Sequence, residues 1–257
     1  MTDSPNSPLP LTIAVVGGAG VVGRPTVEAV RAAGHRAIAL SRSSGVDLLT
    51  GTGLDAALAG VDAVVDASNV TTLSARKATR FFQTATGNLV AAAARAGVRH
   101  IVVPSIVGID RMPHEYYAGK LAQEAVVEAS SVPWSILRAT QFHEFSAQLF
   151  QRGQVGPFHL APRARVQPIA AREVGARLAE LAAGTARGRV ADLAGPREER
   201  LDDMVKAYAG RIGHRGWVPS VSLPGAQMKG MRAGLALPGP GAEFGTETFA
   251  GWLEGLG

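Results

Sequence analysis

Hydrophobic residues recur along the chain in short runs that alternate with longer amphipathic stretches. This alternation is typical of a parallel sheet with helices on both faces. The pattern predicts strands at 11–16, 35–40, 46–48, 63–66, 100–104, 134–138 and 189–193, and helices at 25–33, 52–59, 74–96, 113–130 and 173–183. The predicted fold is therefore α/β, with a doubly wound parallel sheet.

Three glycines follow the first strand at intervals of three residues: Gly17, Gly20 and Gly23. The first allows a tight turn out of the strand, the second lets a pyrophosphate approach the backbone, and the third lets the next helix pack closely on the sheet. The helix amino end then faces the phosphates. This loop, including Ala19 and Val22, is predicted to hold a dinucleotide. The alternative is a glycine-rich turn without a ligand.

The end of the second strand bears on the choice of dinucleotide. An acidic residue there usually binds the adenosine ribose of NAD, whereas an arginine accommodates the 2′-phosphate of NADP. This chain has Ser41 and Arg42 at that place and no acid before Asp47. Arg24 follows the third glycine and can reach the same phosphate. We therefore expect NADP as the cofactor, with NADPH preferred over NADH; the alternative is that these arginines are merely exposed.

A tyrosine and a lysine four residues apart begin the helix after the fifth predicted strand. Residues at this spacing share a helix face, so the Lys120 ammonium is expected to lower the pKa of the Tyr116 phenol. A phenol tuned in this way is a usable proton donor. Ser105 ends the preceding strand at the carboxyl edge of the sheet, where its hydroxyl can bond a substrate carbonyl or simply cap a turn.

At these residues the chain resembles the short-chain dehydrogenase/reductase superfamily, and more closely its atypical NmrA-like branch of NAD(P)-binding proteins. The resemblance covers nearly all of residues 11–257. It is carried by Gly17-x-x-Gly20-x-x-Gly23, the segments 88–98 and 105–110, Tyr116-x-x-x-Lys120, and the segments 137–142, 167–170 and 195–196.

The resemblance implies roles for several residues. Ser105 would polarise the substrate carbonyl, Tyr116 would donate the proton, and Lys120 would tune the phenol and hold the nicotinamide ribose. The positions that flank adenine and its ribose are Asp47, Leu48, Ala67 and Ser68. Several members of this branch are redox sensors that bind dinucleotide without turnover.

The resemblance also implies a Rossmann domain with a small C-terminal substrate lobe. Residues 1–10 are expected to form a disordered tail, and residues 11–140 the NAD(P)-binding domain. The chain is expected to return to that domain within 166–195. The segments 141–165 and 196–257 would then form the lobe.

The loop after the sixth predicted strand leaves the sheet on the nicotinamide side. It contains Gln141, Phe142, His143 and Phe145, which we expect to line the substrate pocket. The two phenylalanines indicate an apolar or aromatic substrate, and His143 is a candidate hydrogen-bond partner or a structural histidine. His and Cys partners at ligand spacing are lacking, so no metal site is expected.

The composition of the chain argues against several other classes of function. The net charge is +5, but the basic residues are scattered and are not interleaved with aromatic residues, so nucleic-acid binding is not expected. The chain has no cysteine, which excludes disulfides and thiolate chemistry. No apolar run reaches membrane-spanning length. We expect a cytoplasmic monomer or homodimer acting on a small molecule.

These observations predict an NADP-dependent oxidoreductase that reduces a carbonyl or an activated double bond of a small, apolar or aromatic substrate. Two alternatives remain open. One is a non-catalytic sensor of the NADP/NADPH balance, and the other is a non-redox isomerase, dehydratase or cyclase on the same fold.

Overall fold

A computed structural model describes residues 9–256. Over these residues the strands are β1 (Thr12–Val16), β2 (Arg36–Leu40), β3 (Ala63–Asp66), β4 (His100–Ile106), β5 (Trp134–Ala139), β6 (Gln154–Val155), β7 (Phe158–His159), β8 (Ala161–Pro162), β9 (Arg165–Val166), β10 (Gly188–Arg189), β11 (Leu193–Ala194), β12 (Glu199–Arg200), β13 (Ser220–Val221) and β14 (Glu243–Phe244). The α-helices are α1 (Gly23–Ala32), α2 (Leu54–Leu58), α3 (Ala75–Ala96), α4 (Glu115–Glu128), α5 (Phe145–Arg152), α6 (Ala171–Ala183), α7 (Leu201–Arg211), α8 (Ala226–Arg232) and α9 (Phe249–Glu254).

The main sheet has the strand order β2-β1-β3-β4-β5-β11-β14, and β10 also pairs with β5. Each of these pairings is parallel. The predicted Rossmann-type, doubly wound parallel sheet is confirmed. The strand order reverses at β1, and the crevice outside the carboxyl ends of the strands at such a switch point is where open α/β folds bind their ligands.

Alternate residues of the buried strands pack on opposite faces of the sheet. Val64 and Ile101 belong to the core under α2, α3 and α4, whereas Val65 and Val102 belong to the core under α1 and α6. A third apolar cluster joins α4 to the C-terminal segments. Helices therefore cover both faces, and the carboxyl edge is bordered by α4 and the C-terminal segments.

The prediction of a strand at residues 46–48 is wrong, because this segment forms turns. The Asp47 side chain accepts a hydrogen bond from the Leu49 amide at 2.8 Å, and the Gly51 amide donates to the Asp47 carbonyl at 2.8 Å. Val46 is nevertheless buried in the core. The apolar residues of this segment are therefore explained by burial. The local hydrogen bonds of an aspartate turn are formed there in place of hydrogen bonds to a neighbouring strand.

The segment 154–166, for which no element was predicted, contains short strands, including the antiparallel pair β6–β7. Helix α5 precedes it and was not predicted. Helix α4 begins at Glu115, two residues later than expected, and β14 adds a strand to the sheet from within the segment assigned to the lobe.

The predicted tail at residues 1–10 lies mostly outside the described residues, of which Leu9 and Pro10 are exposed and irregular. Within residues 9–256, no helix combines the length and the hydrophobicity needed to cross a bilayer.

Candidate active site

The glycine loop between β1 and α1 leaves an open space at the switch point. Gly17 has φ +71°, and a Cβ there would lie 2.5 Å from the Ala67 carbonyl oxygen. A Cβ on Gly23 would overlap the Gly17 carbonyl oxygen. A Cβ on Gly20, by contrast, would meet only that oxygen, at 3.1 Å. Gly17 and Gly23 are therefore required by the loop itself, whereas Gly20 borders free space.

The amino end of α1 fits a negatively charged ligand. Val22 precedes the helix without a side-chain cap, and the first turn contains no acidic residue. The Arg24 amide is bonded to the Gly20 carbonyl at 3.1 Å, but no acidic side chain competes with phosphate groups for the positive end of the helix dipole. Ala19 lies in the same loop. The residues present thus fit the pyrophosphate of a dinucleotide.

Ser41 and Arg42 begin a short 3₁₀ turn directly after β2. The Ser41 hydroxyl is 2.8 Å from that of Ser43, and the turn is closed by Ser44. Arg24 and Arg42 are exposed, and within the described part of the chain neither forms an ion pair or a side-chain hydrogen bond. The end of β2 is therefore followed by the Ser41 hydroxyl and the uncommitted Arg42 guanidinium, and Arg24 is a further uncommitted cation at the start of α1.

Of the positions expected to flank adenine and its ribose, Ala67 and Ser68 directly follow β3, whereas Asp47 and Leu48 lie in the turns beyond β2. The Ala67 amide donates to the Val16 carbonyl at 3.0 Å, and the Ser68 amide donates to Asp66 Oδ1 at 3.1 Å. Ser68 Oγ is buried without a partner among the described residues. Leu48 is half-buried, and Asp47 accepts the hydrogen bonds of its turn from the Leu49 and Gly51 amides. The Asn88 side-chain amide donates to the Leu48 carbonyl at 2.8 Å.

Tyr116 lies in the first turn of α4, and its hydroxyl donates to Asn69 Oδ1 at 2.8 Å. Its ring packs edge-on against Phe82 with centroids 5.8 Å apart. Burial, reinforced by neighbouring Tyr117, raises the pKa of the Tyr116 phenol above its ordinary value. Asn69, in the loop after β3, was not singled out from the sequence; an amide placed just beyond a buried strand is the only signal for it.

The predicted lowering of the Tyr116 pKa by Lys120 is therefore not found. The Lys120 side chain is buried and donates from Nζ to the Pro104 carbonyl at 2.7 Å and to Gln123 Oε1. Burial lowers the pKa of Lys120 to about 8. Helical spacing places Tyr116 and Lys120 on one face, but the lysine's bonds are to the strand and to its own helix.

Ser105 lies near the carboxyl end of β4 and is buried, and its Oγ has no hydrogen-bond partner in the described structure. By alternation along β4 it shares the face of Val103, which packs in the core under α3 and α4. A buried hydroxyl without a partner is uncommon and is accounted for by a ligand or by water. Ser105 therefore fits the role of a donor toward a bound oxygen.

The loop after β5 is tied to the C-terminal half of the chain. The Ile169 amide donates to the Gln141 carbonyl, and the His143 amide donates to the Ile169 carbonyl, each at 2.9 Å. Phe142 packs on the core under α6, and Phe145 packs in the cluster that contains Tyr117. Gln141 donates from Nε2 to the Tyr117 hydroxyl at 3.3 Å.

His143 is buried and contacts the C-terminal helix. Its Nε2 donates to the Glu247 carbonyl at 3.1 Å, and its ring lies 5.8 Å from Phe249 and 5.9 Å from Trp252. Burial lowers the pKa of His143. These contacts assign the ring to packing and to anchoring the chain's C-terminal segment.

The free energy of unfolding is expected to fall as the pH drops from about 7.5 to about 5.5. The lowered pKa of His143 means that the unfolded chain takes up a proton there before the folded protein does. Its stabilising contribution is therefore complete above an unfolded-state pKa of about 6.5 and is lost as the pH falls toward the folded-state pKa. His143→Gln should make the fall shallower in urea unfolding at a series of pH values; an unchanged slope would contradict this.

Across residues 9–256, no group of three or more His, Asp or Glu side chains is arranged to hold a metal ion. A crevice of about 590 Å³ opens at the opposite, amino edge of the sheet, bordered by residues such as Leu11, His35 and Pro133. It lies at the opposite edge of the sheet from the glycine loop and Tyr116, and it contains none of the residues predicted for the site.

Comparison with known proteins bears on the family and on the fold. A family model described as NAD(P)H-binding matches residues 17–180. No curated protein matches the chain. Among solved structures, an NADPH-dependent quinone oxidoreductase from Escherichia coli is 17% identical, with 95% of this chain and 99% of that chain covered and a TM-score of 0.64.

Two further structures have the same fold. A short-chain dehydrogenase/reductase superfamily protein from Agrobacterium tumefaciens with bound NAD is 21% identical, with 95% of each chain covered and a TM-score of 0.64. A nucleoside-diphosphate-sugar epimerase from Staphylococcus aureus is 13% identical, with 95% of this chain and 100% of that chain covered and a TM-score of 0.67.

Proposed function

The chain belongs to the NAD(P)H-binding family, and from that premise we propose that it is an NADP-dependent oxidoreductase that reduces a carbonyl or an activated double bond of a small apolar substrate. The observation that carries the proposal is the Tyr116 phenol. It stands at the carboxyl edge of the sheet, bonded to Asn69 at 2.8 Å, and its raised pKa keeps it protonated.

The nicotinamide, when bound, supplies the hydride. Ser105 donates a hydrogen bond to the substrate oxygen and so stabilises the negative charge that develops there. The Tyr116 hydroxyl turns from Asn69 toward this oxygen and gives up its proton, which completes the reduction. When the substrate is an aldehyde or a ketone, this oxygen becomes an alkoxide, which is a stronger base than a phenolate, so the transfer is favourable even from a phenol of raised pKa.

The remaining residues orient the reactants in this proposal. Lys120 holds the nicotinamide ribose with an N–H that its two internal acceptors leave free. Phe145 and the apolar cluster around Tyr117 provide a surface for an apolar substrate, and Gln141 borders it. Because one solved structure of the same fold is an NADPH-dependent quinone oxidoreductase, quinones belong among the substrates to be tested.

One observation favours a second candidate, the non-catalytic NAD(P) sensor. The Lys120 ammonium is bonded to Pro104 and Gln123, and the phenol pKa is raised, so the pair lacks the arrangement that assists rapid proton transfer in both directions. A sensor needs the dinucleotide site alone.

The deciding experiment combines a binding and a turnover measurement. The purified protein is denatured and any released nucleotide is identified by mass spectrometry. A panel of quinones, aldehydes and ketones is then tested by loss of NADPH absorbance. Turnover of at least one substrate class supports the reductase, whereas bound nucleotide without turnover on the panel supports the sensor.

NADPH is expected to bind at least about tenfold more tightly than NADH, a difference of about 1.4 kcal/mol. Arg42 and Arg24 are the uncommitted cations near Ser41, and a guanidinium binds a phosphate monoester through a planar fork of donors. Arg42→Ala should remove most of the preference and leave NADH affinity nearly unchanged, as measured by calorimetry. Equal affinities in the unmodified protein would contradict the assignment to NADP.

A further inference from the structure

Four buried polar side chains form a continuous chain of hydrogen bonds between β3, α3 and α4. Asp66 Oδ2 accepts from Thr86 Oγ1 at 3.0 Å and from Gln123 Nε2 at 2.9 Å. Gln123 Oε1 in turn accepts from Lys120 Nζ. Asp66, Thr86 and Gln123 are each 0% exposed. Charged and polar groups at this depth are retained only when their partners are in place.

The donors and acceptors of these four side chains permit only one orientation of the Gln123 amide. The Asp66 carboxylate accepts hydrogen bonds but cannot donate one, so the amide nitrogen of Gln123 must face it. The amide oxygen is then left facing Lys120, which can only donate. Asp66 is itself tied to the loop after β3 through the Ser68 amide at 3.1 Å. The carboxylate thereby dictates which atom meets the ammonium.

We infer that Gln123 is a positioning residue that holds the Lys120 ammonium at the place where the nicotinamide ribose binds. The inference rests on the role of Lys120 in the proposed function. A lysine ammonium has three N–H donors, and the Pro104 carbonyl and Gln123 take two of them. The third is left for a ribose hydroxyl. The Phe82 ring, with its centroid 5.0 Å from Nζ, borders the same ammonium.

Removal of the Gln123 oxygen leaves the lysine with one fixed acceptor on a flexible side chain. The ammonium is then free to turn toward the negative charges of Asp66 and Glu124, which already oppose the effect of burial on its pKa. Such a turn would take the third N–H away from the ribose. The expected loss is therefore confined to ligands that carry the nicotinamide ribose.

The experiment compares two ligands by calorimetry: NADPH, and 2′,5′-ADP, which lacks that ribose. Gln123→Met should weaken NADPH binding about tenfold and change 2′,5′-ADP binding less than about twofold. If NADH proves to be the tighter dinucleotide, NADH and ADP replace this pair. Gln123→Asn, which keeps an amide but is too short to span both partners, should give the same pattern and covers the case in which the methionine variant does not fold.

Two further variants make the result specific. Thr86→Val removes the hydrogen bond to Asp66 and the one that Thr86 Oγ1 accepts from Gln123 Nε2 at 3.2 Å. It leaves the bonds from Gln123 Nε2 to Asp66 and from Lys120 to Gln123 Oε1, so it should leave the ratio of the two affinities unchanged. Lys120→Met should reproduce the loss for NADPH, and adding Gln123→Met to it should cause no further loss. This non-additivity is expected of residues that act through one contact.

The outcomes separate this inference from the proposed function. If Lys120→Met weakens NADPH binding and Gln123→Met does not, the positioning role alone is wrong. Equal losses for both ligands, or full additivity with Lys120→Met, also overturn it and indicate a merely structural residue. If Lys120→Met leaves NADPH binding unchanged, the assignment of Lys120 to the ribose is wrong, and this inference fails with it.

Discussion

Tyr116→Phe is expected to lower turnover by about 10²–10⁴-fold, the usual contribution of a positioned general acid. The variant removes the hydroxyl that bonds Asn69 and keeps the ring that packs on Phe82. Binding of NADPH should change little, because the assigned phosphate and ribose contacts come from other residues. The measurement is steady-state kinetics with the best substrate of the panel, together with calorimetry.

Tyr117→Phe is the matched control for this result. Tyr117 follows Tyr116 by one residue, so its side chain leaves the helix about 100° away. Its hydroxyl accepts from Gln141 and its ring packs in the cluster under the C-terminal segments. The same chemical change there should leave the chemical step largely intact. Lys120→Met, by contrast, should impair both turnover and NADPH binding.

Two results would contradict the proposed role of Tyr116. Loss of turnover in Tyr117→Phe with activity retained in Tyr116→Phe would show that the neighbouring phenol is the proton donor. Loss of neither activity would show that the proton comes from elsewhere. If no substrate is found and Tyr116→Phe retains cofactor-dependent binding of a protein partner, the sensor reading is favoured.

The parallel sheet was predictable because its central strands β1, β3, β4 and β5 are buried on both faces and therefore have short apolar runs as sequences. Helix α3 was predictable almost to the residue, since Ser74 caps its start and Gly97, with φ +71°, ends it. The prediction of a strand at 46–48 was wrong for a physical reason. Val46 is buried whether or not its backbone pairs, and apolar character alone does not distinguish a buried turn from a strand.

The site was predictable where backbone geometry demands a residue type, as at Gly17 and Gly23. It was not predictable where the direction of a long side chain decides the chemistry. Helical spacing places Tyr116 and Lys120 on one face, but the buried acceptors of the lysine, Pro104 and Gln123, come from tertiary packing. Likewise, the loop position of His143 gives no sign of its contact with Glu247, more than a hundred residues later.

Gly20→Val is expected to abolish dinucleotide binding without unfolding the protein. Gly20 has no positive φ, and a Cβ there would meet only the Gly17 carbonyl oxygen, at 3.1 Å, so the loop can accept the side chain with a small adjustment. The branched side chain would then fill the space into which the pyrophosphate must come. Calorimetry with NADPH tests the loss of dinucleotide binding, and thermal unfolding of the same sample tests whether the protein remains folded.

Two other glycine variants delimit the interpretation. Gly23→Val forces an overlap with the Gly17 carbonyl oxygen, so it should lose folding and binding together. Gly210→Val, at an exposed position of α7 with no atom within 4 Å of the added Cβ, should retain NADPH binding. A Gly20→Val protein that still binds NADPH with the original affinity would mean that the phosphates do not lie on this loop. The amino end of α1 would then no longer be the dinucleotide site.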